Sequence, residues 1–166
     1  MERARLPATD GGEDFLIYRT LLMALLFIGC STPLDTLPYP LTLSEKGLGA
    51  IHPNTPFDKI PSIMIGFKCE KLNIVSSNTT EIIYLIQKGS QPIAQIVSNP
   101  SGNKITQIHV LSPQIKDSYN QSIGDLLSYQ GALCKKNSCH YPAAPSVIYK
   151  IDPKTQTIRE ITFQKL

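Results

Sequence analysis

The stretch EIIYLIQKGSQPIAQIVSNPSGNKITQIHVL, residues 81–111, decides the fold of this chain. It contains three runs rich in isoleucine, valine and other strand-forming residues, at 81–88, 92–98 and 104–111. A Gly-Ser pair separates the first two runs and the sequence NPSGN separates the last two, and both are typical turn sequences. The pattern therefore predicts consecutive antiparallel strands, and the first of them, which is apolar on both faces, is expected at the centre of a sheet.

The sequence on either side of this region predicts further short elements. Thr55 as N-cap, Pro56 at the first helical position and Asp58 indicate a helix start, and Pro61 limits that helix to one or two turns. The other predicted elements are a strand at 41–46 with a turn at 47–49, a strand at 63–76 with Gly66 as a bulge, a short helix at 122–129 with Ser122 as cap and Asp125 in its third position, and a hairpin formed by 146–151 and 157–163. We expect a mainly β fold, an antiparallel β-sandwich or half-barrel with one or two short helices, as a single domain over residues 41–166.

The charge distribution argues against nucleic-acid binding. The 166 residues include 16 Lys and Arg and 13 Asp and Glu, which gives a formal net charge of +3. The lysines are scattered along the sequence, and Lys135-Lys136 is the only adjacent basic pair. No basic stripe in the sequence is therefore available to follow a phosphate backbone.

Residues 20–30, TLLMALLFIGC, carry the clearest functional signal in the sequence. The apolar run is too short for a transmembrane helix, which needs about 20 residues, and it fits the hydrophobic region of a signal peptide. Its end, FIGC, matches the bacterial lipobox, in which the cysteine receives the lipid. We therefore expect a signal peptide over residues 1–29, lipidation of Cys30 and a proline-rich tether over residues 30–40. Ser31, in place of an aspartate that would retain the protein in the inner membrane, favours the periplasmic face of the outer membrane.

The first fifteen residues do not fit a signal peptide. They contain four acidic residues against two arginines, whereas the start of a signal peptide is normally basic. Initiation at Leu16 would leave a compact signal sequence. We therefore interpret residues 1–15 as an extension that is not part of the expressed protein.

The order of the elements after residue 40 resembles a known protein family. The segments LTLSEKGLGAIHPNTPFD (41–58), KITQIHVLSP (104–113), SIGDLL (122–127), SVIYKID (146–152) and IREITF (158–163) follow one another as they do in an uncharacterised Gram-negative lipoprotein family. That family is typified by an envelope-stress (sigma-E) regulated lipoprotein of enteric bacteria. The resemblance covers about residues 41–163 and implies a mainly β, sandwich-type fold. It implies no activity and no catalytic residue.

Three cysteines remain if Cys30 is lipidated. An oxidising periplasm favours a disulfide, and the close pair Cys134 and Cys139 is the preferred pairing. A bond from Cys69 to one of these two is the alternative. A zinc site of Cys69, Cys134, Cys139 and His140 is disfavoured, because four intervening residues are long for a ligand pair and adjacent Cys and His ligands strain a tetrahedral site.

No catalytic constellation stands out from the sequence. A hydrolytic arrangement of Ser44 or Ser62 with His52 and Asp58 lacks any supporting motif, and the Gly47-x-Gly49 pattern is better explained as a turn than as a phosphate loop. His109 alternates with apolar neighbours, so we expect it to face solvent or a polar pocket.

These observations predict a protein that is not an enzyme and has no cofactor, no metal site and no identified small-molecule substrate. Its expected contacts are the membrane, through the lipid anchor, and an envelope protein or polymer that it binds or supports through a sheet edge or the loop around Lys135-Lys136. The alternative function is an accessory lipoprotein subunit of a multi-protein envelope or secretion complex.

Overall fold

The computed structural model describes residues 40–75, 80–128 and 130–165. The expected signal peptide, Cys30 and nearly all of the tether therefore lie outside the described residues. Within the described part of the chain, no helix is both long enough and apolar enough to span a membrane.

Strands make up most of the domain. They are β1 (Thr42–Ser44), β2 (Gly47–Leu48), β3 (Lys68–Val75), β4 (Thr80–Lys88), β5 (Gln91–Ser98), β6 (Ile105–Val110), β7 (Lys116–Asp117), β8 (Leu133–Lys135), β9 (Ser138–Tyr141), β10 (Ala144–Ile151) and β11 (Ile158–Gln164). Eight of them form one antiparallel sheet in the order β3-β4-β5-β6-β11-β10-β9-β8, and the other three form a small sheet in the order β2-β1-β7. The sheets do not close into a barrel. The mainly β, sandwich-type fold with a short helix is therefore confirmed.

The small sheet and the helical segment cover one face of the large sheet. A single apolar core contains Leu43 and Leu48 from the small sheet together with Ile86, Ile96 and Ile108 from the large sheet, and all five side chains are fully buried. The ring of Phe57, in the helical segment, lies 4.7 Å from the ring of Tyr84 on β4. We call the opposite face of the large sheet its outer face.

The turns predicted in the central region form as expected. Strands β4 and β5 are joined at Gly89, whose φ of +56° suits glycine in a two-residue hairpin turn. Between β5 and β6, the side-chain oxygen of Asn99 accepts hydrogen bonds from the backbone N–H groups of Asn103 and Lys104, both at 3.1 Å. An asparagine side chain that binds the backbone in this way fixes the turn locally.

The helical segment differs from its prediction at its start. Thr55 does not cap it, because the hydroxyl of Thr55 instead accepts the backbone N–H of His52. A 3-10 turn runs over Phe57–Lys59, and helix α1 runs over Ile60–Ile63 with Pro61 in its first turn. Proline is accepted there because the first N–H groups of a helix have no intrahelical partner. The predicted short length of the segment is confirmed, although Pro61 does not end it.

Three other predicted elements differ from those in the structure. The strand expected over 63–76 begins at Lys68, because α1 reaches Ile63 and Gly66 lies in the following turn at φ +85° rather than in a bulge. The predicted turn at 47–49 comes too late, since β1 already pairs with β2 through Ser44 and Gly47. No helix forms over 122–128, because this segment pairs its backbone with the start of β11. Asp125 accepts hydrogen bonds from the N–H and the hydroxyl of Ser122, which makes a turn rather than a helix cap.

A buried polar network fastens the small sheet to the large one. Asp117 of β7 is only 4% exposed, and its carboxylate accepts hydrogen bonds from the backbone N–H groups of Tyr119 and Gln121 and from the hydroxyl of Tyr149 on β10. Burial and, secondly, the hydrogen bond to Asp117 raise the pKa of Tyr149 far above its ordinary value, so this hydroxyl remains a donor. Tyr141 stacks on Tyr119 with ring centroids 4.1 Å apart and packs edge-on against Tyr149.

Candidate functional site

The outer face of the large sheet carries polar side chains on its central strands. Ile108 and Val110 of β6 are buried in the core, so His109 between them points to the outer face. The cross-strand neighbours of His109 are Gln95 on β5 and Thr162 on β11. The expectation that His109 faces solvent or a polar pocket is confirmed, since it lines a cavity at this place.

Two adjoining cavities share Arg159 and Glu160 of β11. The first, which we call the His109 cavity, has a volume of about 510 Å³ and is lined by Gln95, His109, Val110, Leu111, Ile123, Arg159 and Glu160. The second, the lysine cavity, has a volume of about 490 Å³ and is lined by Lys135, Lys136, Asn137, Ser138, Lys150, Ile151, Arg159 and Glu160. Together they form the outer groove, and this groove is the candidate functional site.

A break in the strand register places Arg159 at the junction of the two cavities. On β10 and β11, Lys150 pairs with Glu160 while Ile151 pairs with Ile158, so Arg159 has no partner opposite it. Such a β-bulge re-aims the side chain of the extra residue. Arg159 and Glu160 can therefore both line the groove, although they are adjacent in a strand. Arg159 also forms an ion pair with Asp152.

Hydrogen bonds connect His109 to neighbours on its own strand, β6, and on β11. One ring nitrogen, Nε2, lies 3.0 Å from Oε1 of Gln107. The other, Nδ1, lies 3.2 Å from the hydroxyl oxygen of Thr162 and 3.6 Å from Oε1 of Glu160. The Thr162 hydroxyl donates to Oε1 of Glu160 at 2.8 Å, so it is an acceptor toward His109. Both ring nitrogens of His109 therefore lie within hydrogen-bonding distance of polar oxygen atoms.

Glu160 is the only carboxylate among the described residues that line the two cavities, and it is held in its charged form. Burial alone would raise the pKa of Glu160. Hydrogen bonds from Lys150 and Thr162, together with the positive charges of Lys150 and His109, outweigh burial and hold that pKa below its ordinary value. Nζ of Lys150 contacts both carboxylate oxygens, at 3.0 and 2.9 Å. Glu160 therefore positions Lys150 at the rim of the lysine cavity.

Replacing Glu160 with glutamine is expected to lower the free energy of unfolding at neutral pH by about 0.5 kcal/mol. Because the folded-state pKa of Glu160 lies below its unfolded value, its contribution to stability is present above the unfolded value of about 4.3 and is lost as the pH falls through the folded pKa. Urea unfolding of wild type and Glu160→Gln across acid pH measures this. The two proteins should converge in stability at low pH, and a pH-independent difference would contradict the assignment.

The lysine cavity is closed on one side by a tight hairpin. Strands β8 and β9 pair Cys134 with Cys139 and Lys135 with Ser138, so only Lys136 and Asn137 form the loop. The sulfur atoms of Cys134 and Cys139 lie at disulfide-bonding distance, with their Cα atoms 4.1 Å apart. Backbone N–H of Ile151 on β10 donates to the carbonyl of Asn137 and joins the loop to the sheet. The preferred cysteine pairing is therefore the one that the structure contains.

The alternative cysteine arrangements do not form. Cys69 is a free, half-buried thiol on β3, at the opposite edge of the large sheet from Cys134 and Cys139. Burial raises the pKa of the Cys69 thiol, which disfavours the thiolate that a metal needs. No group of three metal-ligating side chains occurs in the described residues. The zinc set of Cys69, Cys134, Cys139 and His140 is therefore not assembled.

The serines and the histidine considered as a hydrolytic set bond backbone groups in their own turns, and Asp58 lies in the 3-10 turn Phe57–Lys59. Nδ1 of His52 bonds the carbonyl of Lys46, and the hydroxyls of Ser44 and Ser62 donate to backbone carbonyls of Gly47 and Lys59. Each of these side chains thus stabilises a local turn. Gly47 lies in β2 of the first hairpin and Gly49 in the turn after it, and they do not form a phosphate loop.

Sequence reasoning missed the residues that complete the outer groove. Lys150, Arg159 and Glu160 were placed correctly on the last hairpin, but nothing in their spacing showed that they would join Lys135 and Lys136. The scattered lysines of the sequence become a cluster because β9, β10 and β11 are neighbours in the sheet. A signal was present in the alternation of polar and apolar residues along 146–151 and 157–163, which marks one polar face.

Comparison with known proteins supports the fold and goes no further. No protein-family model and no curated protein sequence matches the chain. Among solved structures, the chain is similar to the uncharacterised protein YfeY from Escherichia coli, with a TM-score of 0.57 and 16% sequence identity, over 75% of this chain and 99% of that one. A likeness at this low identity shows that the two proteins share a fold.

Proposed function

We propose that this protein is a lipoprotein of a Gram-negative bacterium, anchored through Cys30 to the periplasmic face of the outer membrane, where its β-domain has a binding role in the cell envelope. The observation that carries the proposal is the sequence of residues 20–30, in which a short apolar run ends in FIGC. A signal region of this length, followed directly by a lipobox cysteine, is the substrate of the bacterial lipoprotein pathway.

The cysteine pair in the β8–β9 hairpin supports an extracytoplasmic location. Cys134 and Cys139 lie at bonding distance at an exposed edge strand, where Cys134 itself is exposed. Disulfides persist in oxidising compartments such as the periplasm and are rare in the cytosol. The pair is therefore what we expect of a domain that folds after export.

The outer groove supports binding as the role of the domain. Its lining presents lysine, arginine, asparagine, glutamine, histidine, serine and glutamate side chains, and Glu160 accepts hydrogen bonds from Lys150 and from the buried Thr162 hydroxyl. The resemblance over residues 41–163 further supports a role linked to envelope stress.

Metabolic labelling with a palmitate analogue, followed by separation of inner and outer membranes, tests this proposal. The wild-type protein should carry the label and be found in the outer membrane, whereas Cys30→Ser should be unlabelled. Ser31→Asp is the matched variant for location: it should still be labelled but should shift to the inner membrane. Label that persists in Cys30→Ser would contradict the anchor, and an unlabelled wild-type protein would contradict the whole proposal.

A further inference from the structure

Positive charge converges on the lysine cavity. Lys135, Lys136, Lys150 and Arg159 line it, and Glu160 is the only acidic side chain among its described lining residues. Lys150 and Arg159 are neutralised locally, by Glu160 and Asp152 respectively. Lys135 and Lys136 form no ion pair or side-chain hydrogen bond with the described residues. The ammonium groups of Lys135 and Lys136 therefore lie at the hairpin without an acidic partner among the described residues. The other two cations of the cavity, Lys150 and Arg159, are each paired with a carboxylate.

The backbone at Lys136 adopts a conformation that lysine does not favour. Its φ is +57°, in the left-handed region where glycine or asparagine is normally found. The hairpin holds Lys136 there, because the loop has only two residues and the cysteine pair closes the strands directly behind it. A glycine would fit this backbone conformation better, and the lysine that occupies the position presents its charge at the tip of the hairpin.

Two exposed leucines lie close to these cations along the chain and in the sheet. Leu133, on the edge strand β8 two residues before Lys135, is 55% exposed. Leu126 is 69% exposed and pairs with Thr157, two residues before Arg159. Because alternate residues of a strand leave the sheet on the same side, Leu133 stands on the side of Lys135. Lysines together with exposed aliphatic side chains are typical of surfaces that lie on a membrane interface.

We propose that the β8–β9 hairpin and the lysine cavity dock on an anionic phospholipid surface, with headgroup phosphates as the ligands of Lys135 and Lys136. The inference rests on the proposed function in one respect: the lipid on Cys30 would hold the domain near the membrane. The ten residues from Cys30 to Pro40 reach at most about 35 Å when extended, which keeps the domain at high effective concentration over the headgroups. Each lysine near an anionic membrane strengthens binding about fivefold, and the effect falls with added salt.

The test uses the full chain in lipid nanodiscs, with amide hydrogen exchange of the segment 133–139 as the readout. Discs of phosphatidylcholine alone are compared with discs that also contain phosphatidylglycerol. The anionic discs should slow exchange of this segment several-fold, and high salt should remove the protection. The double variant Lys135→Gln with Lys136→Gln should bind the anionic discs about 25-fold more weakly. It should therefore need about 25-fold more anionic lipid to reach the same protection of the segment. The matched control, Lys46→Gln with Lys104→Gln, removes the same charge at exposed positions outside the groove and should leave the protection unchanged.

The variant Lys136→Gly separates binding from folding. It relieves the unfavourable backbone conformation, so the domain should unfold at the same temperature as wild type or at a higher one. Because one ammonium group is lost, the affinity for anionic discs, read from the lipid needed for protection, should fall about fivefold. Equal protection in both kinds of disc, or protection that survives in Lys136→Gly and in the double glutamine variant, would overturn the proposal. Equal protection by free glycerol phosphate would instead assign the site to a soluble phosphate ester and would overturn docking on the membrane.

Cys30→Ser distinguishes failure of this inference from failure of the proposed function. Without the anchor, more lipid should be needed to reach the same protection from exchange. The segment 133–139 should still be protected more by anionic discs than by phosphatidylcholine discs. If the anchor proposal is wrong and the docking proposal is right, wild type and Cys30→Ser will show the same preference at the same lipid concentration.

Discussion

Gly47→Ala is expected to lower the free energy of unfolding by about 3 kcal/mol or more. Gly47 has a φ of +127°, which side chains rarely adopt, and a Cβ atom built there would lie 2.0 Å from the carbonyl oxygen of Ile51. The obstacle is backbone, so it cannot rotate away. That carbonyl also accepts the backbone N–H of Leu48 at 3.0 Å, and moving it would disturb both the turn and the burial of Leu48 and Ile51.

Gly89→Ala is the matched control for this prediction. Gly89 also has a positive φ, +56°, but a Cβ atom there meets nothing within 4 Å. Alanine at Gly89 should therefore lower the free energy of unfolding by about 1 kcal/mol, the strain of holding a side chain at positive φ. Denaturant unfolding of the two variants separates conformational strain from the backbone clash. Equal losses of stability would mean that the loop 48–51 adjusts freely and that Gly47 does not fix the path of the first hairpin.

Asp117→Ala is expected to lower the free energy of unfolding by about 4 kcal/mol. The carboxylate accepts hydrogen bonds from the N–H groups of Tyr119 and Gln121 and from the Tyr149 hydroxyl, and alanine leaves these donors without a partner inside the protein. Because Tyr149 lies on β10 and Asp117 on β7, the same change loosens the contact between the two sheets. Tyr149→Phe removes one of the three donors and should cost less, about 2 kcal/mol.

A double-mutant cycle isolates the bond between the two sheets. If Asp117 and Tyr149 act as a pair, Asp117→Ala with Tyr149→Phe should lose less stability than the sum of the single variants, by about 1 to 2 kcal/mol. Additive losses would show that each residue stabilises only its own strand. Circular dichroism of each variant in the absence of denaturant confirms that the comparison is made between folded proteins.

The local parts of the fold could be predicted from the sequence. Strands β4, β5, β6, β10 and β11 and the turns between them follow from alternation of apolar residues and from turn sequences, which act over a few residues. The helix expected at Ser122 was wrong because Ser122 and Asp125 form a good cap signal that also suits an isolated turn. Tertiary pairing of 122–127 with the start of β11 decided between them.

The candidate site could be predicted only in fragments. His109 was recognised as outward-facing and the pairing of Cys134 with Cys139 was preferred, because both depend on neighbouring residues. Assembly of the lysine cavity depends on the order of strands in the sheet and on the bulge at Arg159, and neither leaves a mark in the local sequence. The basic residues are scattered along the chain, and the order of strands brings four of them together around the lysine cavity.

The central claim, that Cys30 anchors this domain to a membrane, is tested most directly by mass spectrometry of the protein purified from cell envelopes. We expect a mature chain that begins at Cys30 and carries the mass of the attached acyl chains, with no peptide that spans Gly29 and Cys30. A chain that continues through Gly29 into an unmodified Cys30 would contradict the account.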